Sequence, residues 1–314
     1  AIDESLSFLN MDLNYPFKDT ILNELLSSLT VKSTSESIIT DNPDHEDWYD
    51  KTKPRPYWDT YREYLKGDLR FSIEGINAID NTTDLILKNI EKPEREGVWD
   101  SRGLVVGSVQ SGKTANFIGV LNKAIDAGYK MIVILSGLNN NLRQQTQIRI
   151  DDGLLGFDSN VSDSTSFVYN GPLAKKRIPL HLGKPPICFT TSAIGGDLKR
   201  AIAAHSKNIH VDHPTVFVVK KNVSILKSLI SYFVQSPDVP GPIVIDPPFN
   251  LRKLHGGEPP YIPKTPVLVI DDEVDNGSVD TDEQHYDDGI PDPDYNPRTI
   301  NRLIRQLLHV FKKK

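Results

Sequence analysis

Short aliphatic runs separated by stretches of helical spacing fill the second two thirds of this chain. Residues 104–106, 131–135, 187–190, 216–219 and 267–270 are apolar without alternation, as strands of a parallel sheet are when both faces are covered. Phe117, Ile118, Leu121 and Ile125 recur at helical intervals and stop before Gly128, a residue suited to a left-handed helix cap. This alternation predicts an α/β fold, a parallel sheet with crossover helices.

Ahead of the sheet pattern, Trp58, Tyr61 and Leu65, then Ile73, Ile76, Ile79, Leu85, Leu87 and Ile90, predict two or three amphipathic helices. Pro93 and Gly97 punctuate the boundary. At the other end Ile300, Leu303, Ile304, Leu307, Leu308 and Phe311 form an apolar stripe opposite Arg302, Arg305 and His309. A stripe of that kind needs a surface to cover it. Residues 1–50 are polar and weakly periodic, with one helix expected near 21–29, and read as a partly disordered leader. The expected organisation is a leader over 1–50, a helical lead-in over 51–97 and one α/β lobe over 98–314. Nine prolines between Pro237 and Pro266 exclude a sheet interior and predict a surface excursion over 237–266. Residues 276–297 read as an acidic, solvated loop.

Charge modifies this picture in one place. The formal net charge is −6, yet 11 of the 42 acidic residues lie in 271–294, where no lysine or arginine occurs. The 36 basic residues face 31 acids elsewhere, a balance that permits a nucleic-acid partner without indicating one. A single cysteine, Cys188, excludes an internal disulfide and a thiolate zinc cluster, and its apolar neighbours predict burial. No run approaches a membrane span and Asp3 and Glu4 stand where a signal peptide would be basic, so a soluble, cytoplasmic protein is expected.

Two motifs carry chemistry. Gly107, Ser108, Val109, Gln110, Ser111, Gly112, Lys113 and Thr114 fit the phosphate-loop pattern. Its backbone N–H groups wrap a polyphosphate, its lysine reaches the β and γ phosphates and its hydroxyl meets Mg²⁺. The apolar residues 104–106 before it and the helical stripe after it provide the expected strand and helix. The second motif is the run Asp271, Asp272, Glu273, Val274 and Asp275 after the aliphatic residues 267–270, which places carboxylates where α/β ligand sites form. Read as Asp-Glu-x-Asp, it gives Asp272 to the metal and Glu273 to the attacking water as general base. Asp271 leaves that register open by one residue.

These residues resemble the first, RecA-like lobe of superfamily-two helicase and translocase ATPases. More narrowly, residues 102–116, 141–147 and 270–276 resemble the Z-one domain, often labelled an endonuclease domain and found chiefly in prokaryotic ATPases of restriction-like or phage-defence systems. The likeness runs from about Trp58 onward. It implies a RecA-like P-loop sheet, ATP and Mg²⁺ as ligands, and nucleic acid, DNA in particular, as partner, with defence-system proteins as further partners. It places backbone contacts at Ser136, at Arg143 with Gln144 and Gln145, and at Thr190, Thr191 and Ser192. Solvated helix faces are the alternative for Arg143 and the glutamines, and Lys220 and Lys221 stand under the same choice. The second RecA-like lobe, which in that class supplies an arginine finger worth ~10³–10⁵ in rate, has no counterpart in these residues. The expectation is therefore a fragment that binds ATP with weak turnover or none. The competing function is an ATP-dependent conformational switch that controls partner assembly without moving along nucleic acid.

Three other patterns carry less. Asp246, Pro247, Pro248 and Phe249 resemble the tetrapeptide of DNA amino-methyltransferases, but no glycine-rich cofactor turn accompanies them. His205, His210 and His213 lack zinc-motif spacing. The acidic run from Asp280 lacks the glycine and terminal glutamate of an EF-hand, and no arrangement of a metal-dependent endonuclease is recognisable.

Overall fold

The structure is a computed structural model describing residues 45–106, 112–159, 186–198, 213–234, 243–246, 250–253, 262, 265–275, 277–279, 286–287, 290–291 and 298–314. Strands β1 (Met131–Ser136), β2 (Ile187–Cys188), β3 (Thr215–Lys220) and β6 (Val267–Asp271) form one parallel sheet in the order β2-β3-β1-β6. Strands β4 (Ile243–Asp246) and β5 (Asn250–Lys253) pair as a separate antiparallel hairpin, as do β7 (Tyr286–Asp287) and β8 (Ile290–Pro291). The proline-rich excursion thus contains regular structure, kept off the main sheet.

Register explains the continuous apolar runs. Met131 lies beside Thr215 on one flank and Val267 on the other, and the pairing continues through Leu135, Val219 and Asp271. Met131, Val133, Leu135, Phe217, Val219 and Val267 face one layer, built from α5 (Val223–Val234) and α6 (Thr299–His309). Ile132, Ile134, Val216 and Val218 face the other, built from α1 (Pro56–Gly67), α2 (Ile73–Asn89), α3 (Lys113–Asp126) and the turn at Asp151–Leu155 that ends α4 (Asn140–Ile150). Alternate side chains therefore serve opposite layers, and every position of β1 is buried. The stripe of α6 is covered within the chain: Leu303, Leu307, Val310 and Phe311 are enclosed in the α5 layer. The surface that the stripe requires is thus supplied by this chain, with Ile300 and Ile304 partly covered against the same layer.

The lead-in helices belong to the same core. Trp58, Tyr61 and Leu65 of α1 pack with Ile76 and Ile79 of α2 and Ile118 of α3. Gly119 permits this crossing, because a Cβ there would meet Thr83 Cγ2 at 3.0 Å and Trp58 at 3.3 Å. Asp126, at the end of α3, accepts from the N–H groups of Tyr57 (3.0 Å) and Trp58 (2.9 Å) and so caps α1 from outside.

One expected strand is missing. Residues 104–106 have no strand partner among the described residues, and Leu104, Val105 and Val106 are 73%, 57% and 85% exposed. The cause lies beside β6. Val267 N–H donates to Lys313 O (3.0 Å), and Trp99 and Ser101 N–H donate to Lys312 O (3.0 Å) and Lys314 O (2.7 Å). The backbone of residues 312–314 thus lies between β6 and residues 99–101, which puts the segment leading into the phosphate loop one strand-width away from β6. The strand expected over 187–190 is also shorter, covering Ile187–Cys188.

A buried ion network fastens the lead-in. Lys123 Nζ is enclosed, lies over the Trp58 ring at 4.3 Å and donates to Asp80 Oδ1 (2.5 Å) and Asp84 Oδ1 (2.5 Å), both of which also meet Arg55. Removing one member of a buried pair leaves uncompensated charge. Lys123→Ala is expected to cost about 3 kcal/mol or more, measurable by urea denaturation, with Arg62→Ala at an exposed ion pair of α1 as a near-neutral control.

Candidate functional site

The phosphate-loop residues Gly107, Ser108, Val109, Gln110 and Ser111 lie outside the described residues. Their C-terminal flank lies within them. Gly112 has φ +76, left-handed backbone that favours glycine, and α3 starts at Lys113. Lys113 is exposed at that helix N-terminus and Thr114 is half-buried. The Thr114 Oγ1 accepts from Arg149 Nη1 at 3.2 Å.

The acidic run forms a turn at the C-terminal end of β6. Asp272 N–H still donates to Leu135 O (2.9 Å), the last rung toward β1, and the chain then reverses through Glu273, whose φ is +55. A non-glycine residue in that region is strained. Glu273 and Asp275 are exposed and Asp272 is half-buried. Lys221, just beyond β3, is enclosed and donates to Asp271 Oδ1 (2.9 Å), Asp272 O (2.9 Å) and Glu273 O (2.6 Å). The Asp272 carboxyl is pushed up, chiefly by burial and then by the Glu273 charge, against the Glu273 N–H and the charges of Lys221 and Arg149. The loop after β1 comes close as well: a Cβ on Gly137 would lie 3.2 Å from Glu273 Oε2 and 2.4 Å from Leu142.

Arg149 bonds to the Thr114 hydroxyl, and its charge is the least of the influences on the Asp272 carboxyl. Its place on α4, among residues that look like an ordinary solvated helix surface, gives no hint of this in the sequence. The Thr114 hydroxyl and the half-buried Asp272 carboxylate are oxygen donors of the kind Mg²⁺ takes, one or two from protein with the rest from phosphates and water, and an ion there would have to displace Arg149 from Thr114. Among the described residues there is no group of three or more His, Cys, Asp and Glu that could hold a metal by itself.

The residues expected to touch a nucleic-acid backbone divide. Ser136 is enclosed and its Oγ donates to Val219 O (3.1 Å). Arg143 is enclosed, donates to Thr191 O (2.7 Å) and Ala193 O (2.7 Å), and pairs with Asp197 at 3.7 Å. Ser192 is enclosed and its Oγ donates to Asp158 Oδ1 (3.2 Å). These three side chains are engaged within the protein. Arg143 is therefore no solvated side chain, which corrects that alternative: a guanidinium fork between two carbonyls braces the loop after β2. Gln145 is exposed, Thr191 is half-buried, and the tip of the braced loop is Ile194, 86% exposed.

Beneath that loop Asp151 accepts from Gln147 Nε2 (2.8 Å), Ser159 N–H (2.9 Å) and Ser159 Oγ (2.6 Å), while Thr190 Oγ1 donates to Gln147 Oε1 (2.7 Å). The Cys188 thiol joins this cluster and is pushed up by burial. His205, His210 and the residues Pro247 to Phe249 lie outside the described residues, as do 1–44 and most of 276–297. No helix among the described residues is long and apolar enough to cross a membrane.

Fold and site together define an α/β protein with a four-stranded parallel sheet and flanking helices. A scan of the chain against protein-family models, a search of curated proteins and a search of solved structures each return no match.

Burial raises the Asp151 carboxyl to about 6, and the Asp126 carboxyl likewise to about 6. Both lie above the ordinary carboxylate value of 3.8, so between about pH 4 and 6 the folded chain binds more protons than the unfolded one. These two groups make stability rise as pH falls from 7 toward 5. Thermal melts at pH 7 and pH 5 should show a smaller rise for Asp151→Asn than for the parent.

Proposed function

We propose that this chain is the ATP- and Mg²⁺-binding N-terminal lobe of a helicase- or translocase-like ATPase of the Z-one type, RecA-like in fold and acting on DNA in a prokaryotic defence system. The observation that carries the reading is the placement of the acidic turn: β6 lies in the parallel sheet beside β1 and ends at Asp271, followed by Asp272 and Glu273, at the edge where the strands' C-termini emerge. Helix α3, starting at Lys113 after a left-handed glycine, supports it.

In this reading the backbone of 107–112 and the Lys113 ammonium hold the phosphates. Thr114 and Asp272 hold the ion, whose chemistry is to neutralise charge on the phosphoryl oxygens. Asp272 suits that role better than Asp271, which Lys221 already engages. Glu273, exposed at the turn, orients and deprotonates water. Turnover by the lobe alone is slow, because a partner lobe's arginine is the larger contributor to the rate.

A second reading, the ATP-driven assembly switch, is favoured by one observation. Arg143 and Ser192 are enclosed, and the loop they brace presents the apolar Ile194 to solvent where the motor reading needs polar contacts. A DNA affinity that falls steeply with salt supports the motor, and a salt-insensitive affinity, or none, supports the switch.

Calorimetric titration with a non-hydrolysable ATP analogue and Mg²⁺ tests the nucleotide site. Lys113→Ala should weaken binding about ten- to a hundredfold, the worth of a hydrogen bond to a charged group, and unchanged affinity would refute the assignment. Glu273→Gln should retain analogue binding and lose residual turnover, measured as phosphate release.

A further inference from the structure

Lys221 belongs to neither motif, yet its ammonium is spent entirely on the acidic turn. An ammonium has three hydrogens. All three go to consecutive residues of this turn: Asp271 Oδ1 (2.9 Å), Asp272 O (2.9 Å) and Glu273 O (2.6 Å). The two carbonyls belong to the peptide planes on either side of Glu273, and the orientations of those planes are its φ and ψ. Glu273 and Arg70 are the two non-glycine residues with positive φ among those described. Such strain persists where the surroundings over-determine it.

We infer that Lys221 is the positioning residue of the acidic turn: it pins the peptide planes flanking Glu273 and occupies Asp271, so that Asp272 and Glu273 are the carboxylates presented to ligand. Lys221 touches no ligand itself and acts from the end of β3, across β1 from the strand that carries the turn. Its neighbour Lys220 engages Asn140 (2.5 Å) and Asp197 (3.5 Å), so the two lysines divide the C-terminal edge of the sheet between the braced loop and the acidic turn. The consequence for magnesium rests on the nucleotide reading above, whereas the consequence for the turn does not.

Two measurements separate these. In urea denaturation, Lys221→Met, Glu273→Gly and the double variant form a cycle. Glycine adopts the left-handed conformation without strain and needs no pinning, so Lys221→Met should shift the midpoint less in the Glu273→Gly background than in the parent. Additive shifts would make Lys221 an ordinary buried ion-pair partner and overturn the inference. In titrations with the ATP analogue, Lys221→Met should leave magnesium-free affinity intact and reduce the magnesium-dependent gain about tenfold, the equivalent of one strained conformation released. Equal loss in both conditions, or none, would overturn it. If Lys221→Met does not fold, Lys221→Arg takes its place: it keeps the charge, but a planar fork cannot deliver three hydrogens to the same three oxygens, and the magnesium-dependent gain should again fall. If the parent binds no nucleotide, the ATP reading fails and the denaturation cycle alone decides the role of Lys221.

Discussion

A cation withdrawn from water costs several kcal/mol unless oxygen surrounds it, and three are withdrawn among the described residues. Lys123, Arg143 and Lys221 are all enclosed, and each finds its partners on elements distant in sequence. Lys123 ties α3 to α2, Arg143 ties α4 to the loop after β2, and Lys221 ties the end of β3 to the turn after β6. Burial heads the influences lowering the proton affinity of Lys123 and Arg143. Their carboxylate and carbonyl partners oppose it. Each of these bonds joins elements that apolar packing brings near one another, and losing either partner would leave a buried charge uncompensated.

The sheet supplies the frame for these anchors. With β1 between β3 and β6, the loops after three parallel strands emerge at one edge, and the turn after β6, Gly137 and Lys221 come together there. Apolar side chains set strand order and register, and polar ones shape the edge. The close approach of the Gly137 loop to Glu273 and the pinning of the Glu273 backbone are both properties of that edge, and neither depends on a single strand.

What the sequence made legible was what periodicity encodes. Strands buried on both faces gave unbroken aliphatic runs, so β1, β3 and β6 could be read directly, and the stripe of α6 was equally plain. Residues 104–106 have the same aliphatic character but not the same partner, because strand identity depends on who pairs with whom and the place beside β6 is taken by residues 312–314. The site was legible as two motifs and illegible as a constellation. Arg149 and Lys221 are separated from both motifs in sequence, and nothing in a lysine's neighbours announces that its ammonium will be enclosed. Arg143 misled for the same reason: a polar helix segment reads as solvated, although its guanidinium closes a loop.

All three tryptophans precede the phosphate loop, and their placement has a spectroscopic consequence. Trp58 sits against Lys123 in the α1 layer, Trp48 donates to Ile90 O, and Trp99 packs edge-on to Tyr129. The opposite layer is lined by Phe189, Phe217, Tyr232, Phe233 and Phe311, whose neighbouring ring centroids lie 5.0–5.7 Å apart, stacked for Phe189 and Phe217 and tilted or edge-on elsewhere. Indole emission therefore reports mainly on the lead-in helices, because no indole ring packs into the α5 and α6 layer. Loosening of that second layer would register more strongly in the near-ultraviolet dichroism of its tyrosine and phenylalanines than in tryptophan fluorescence.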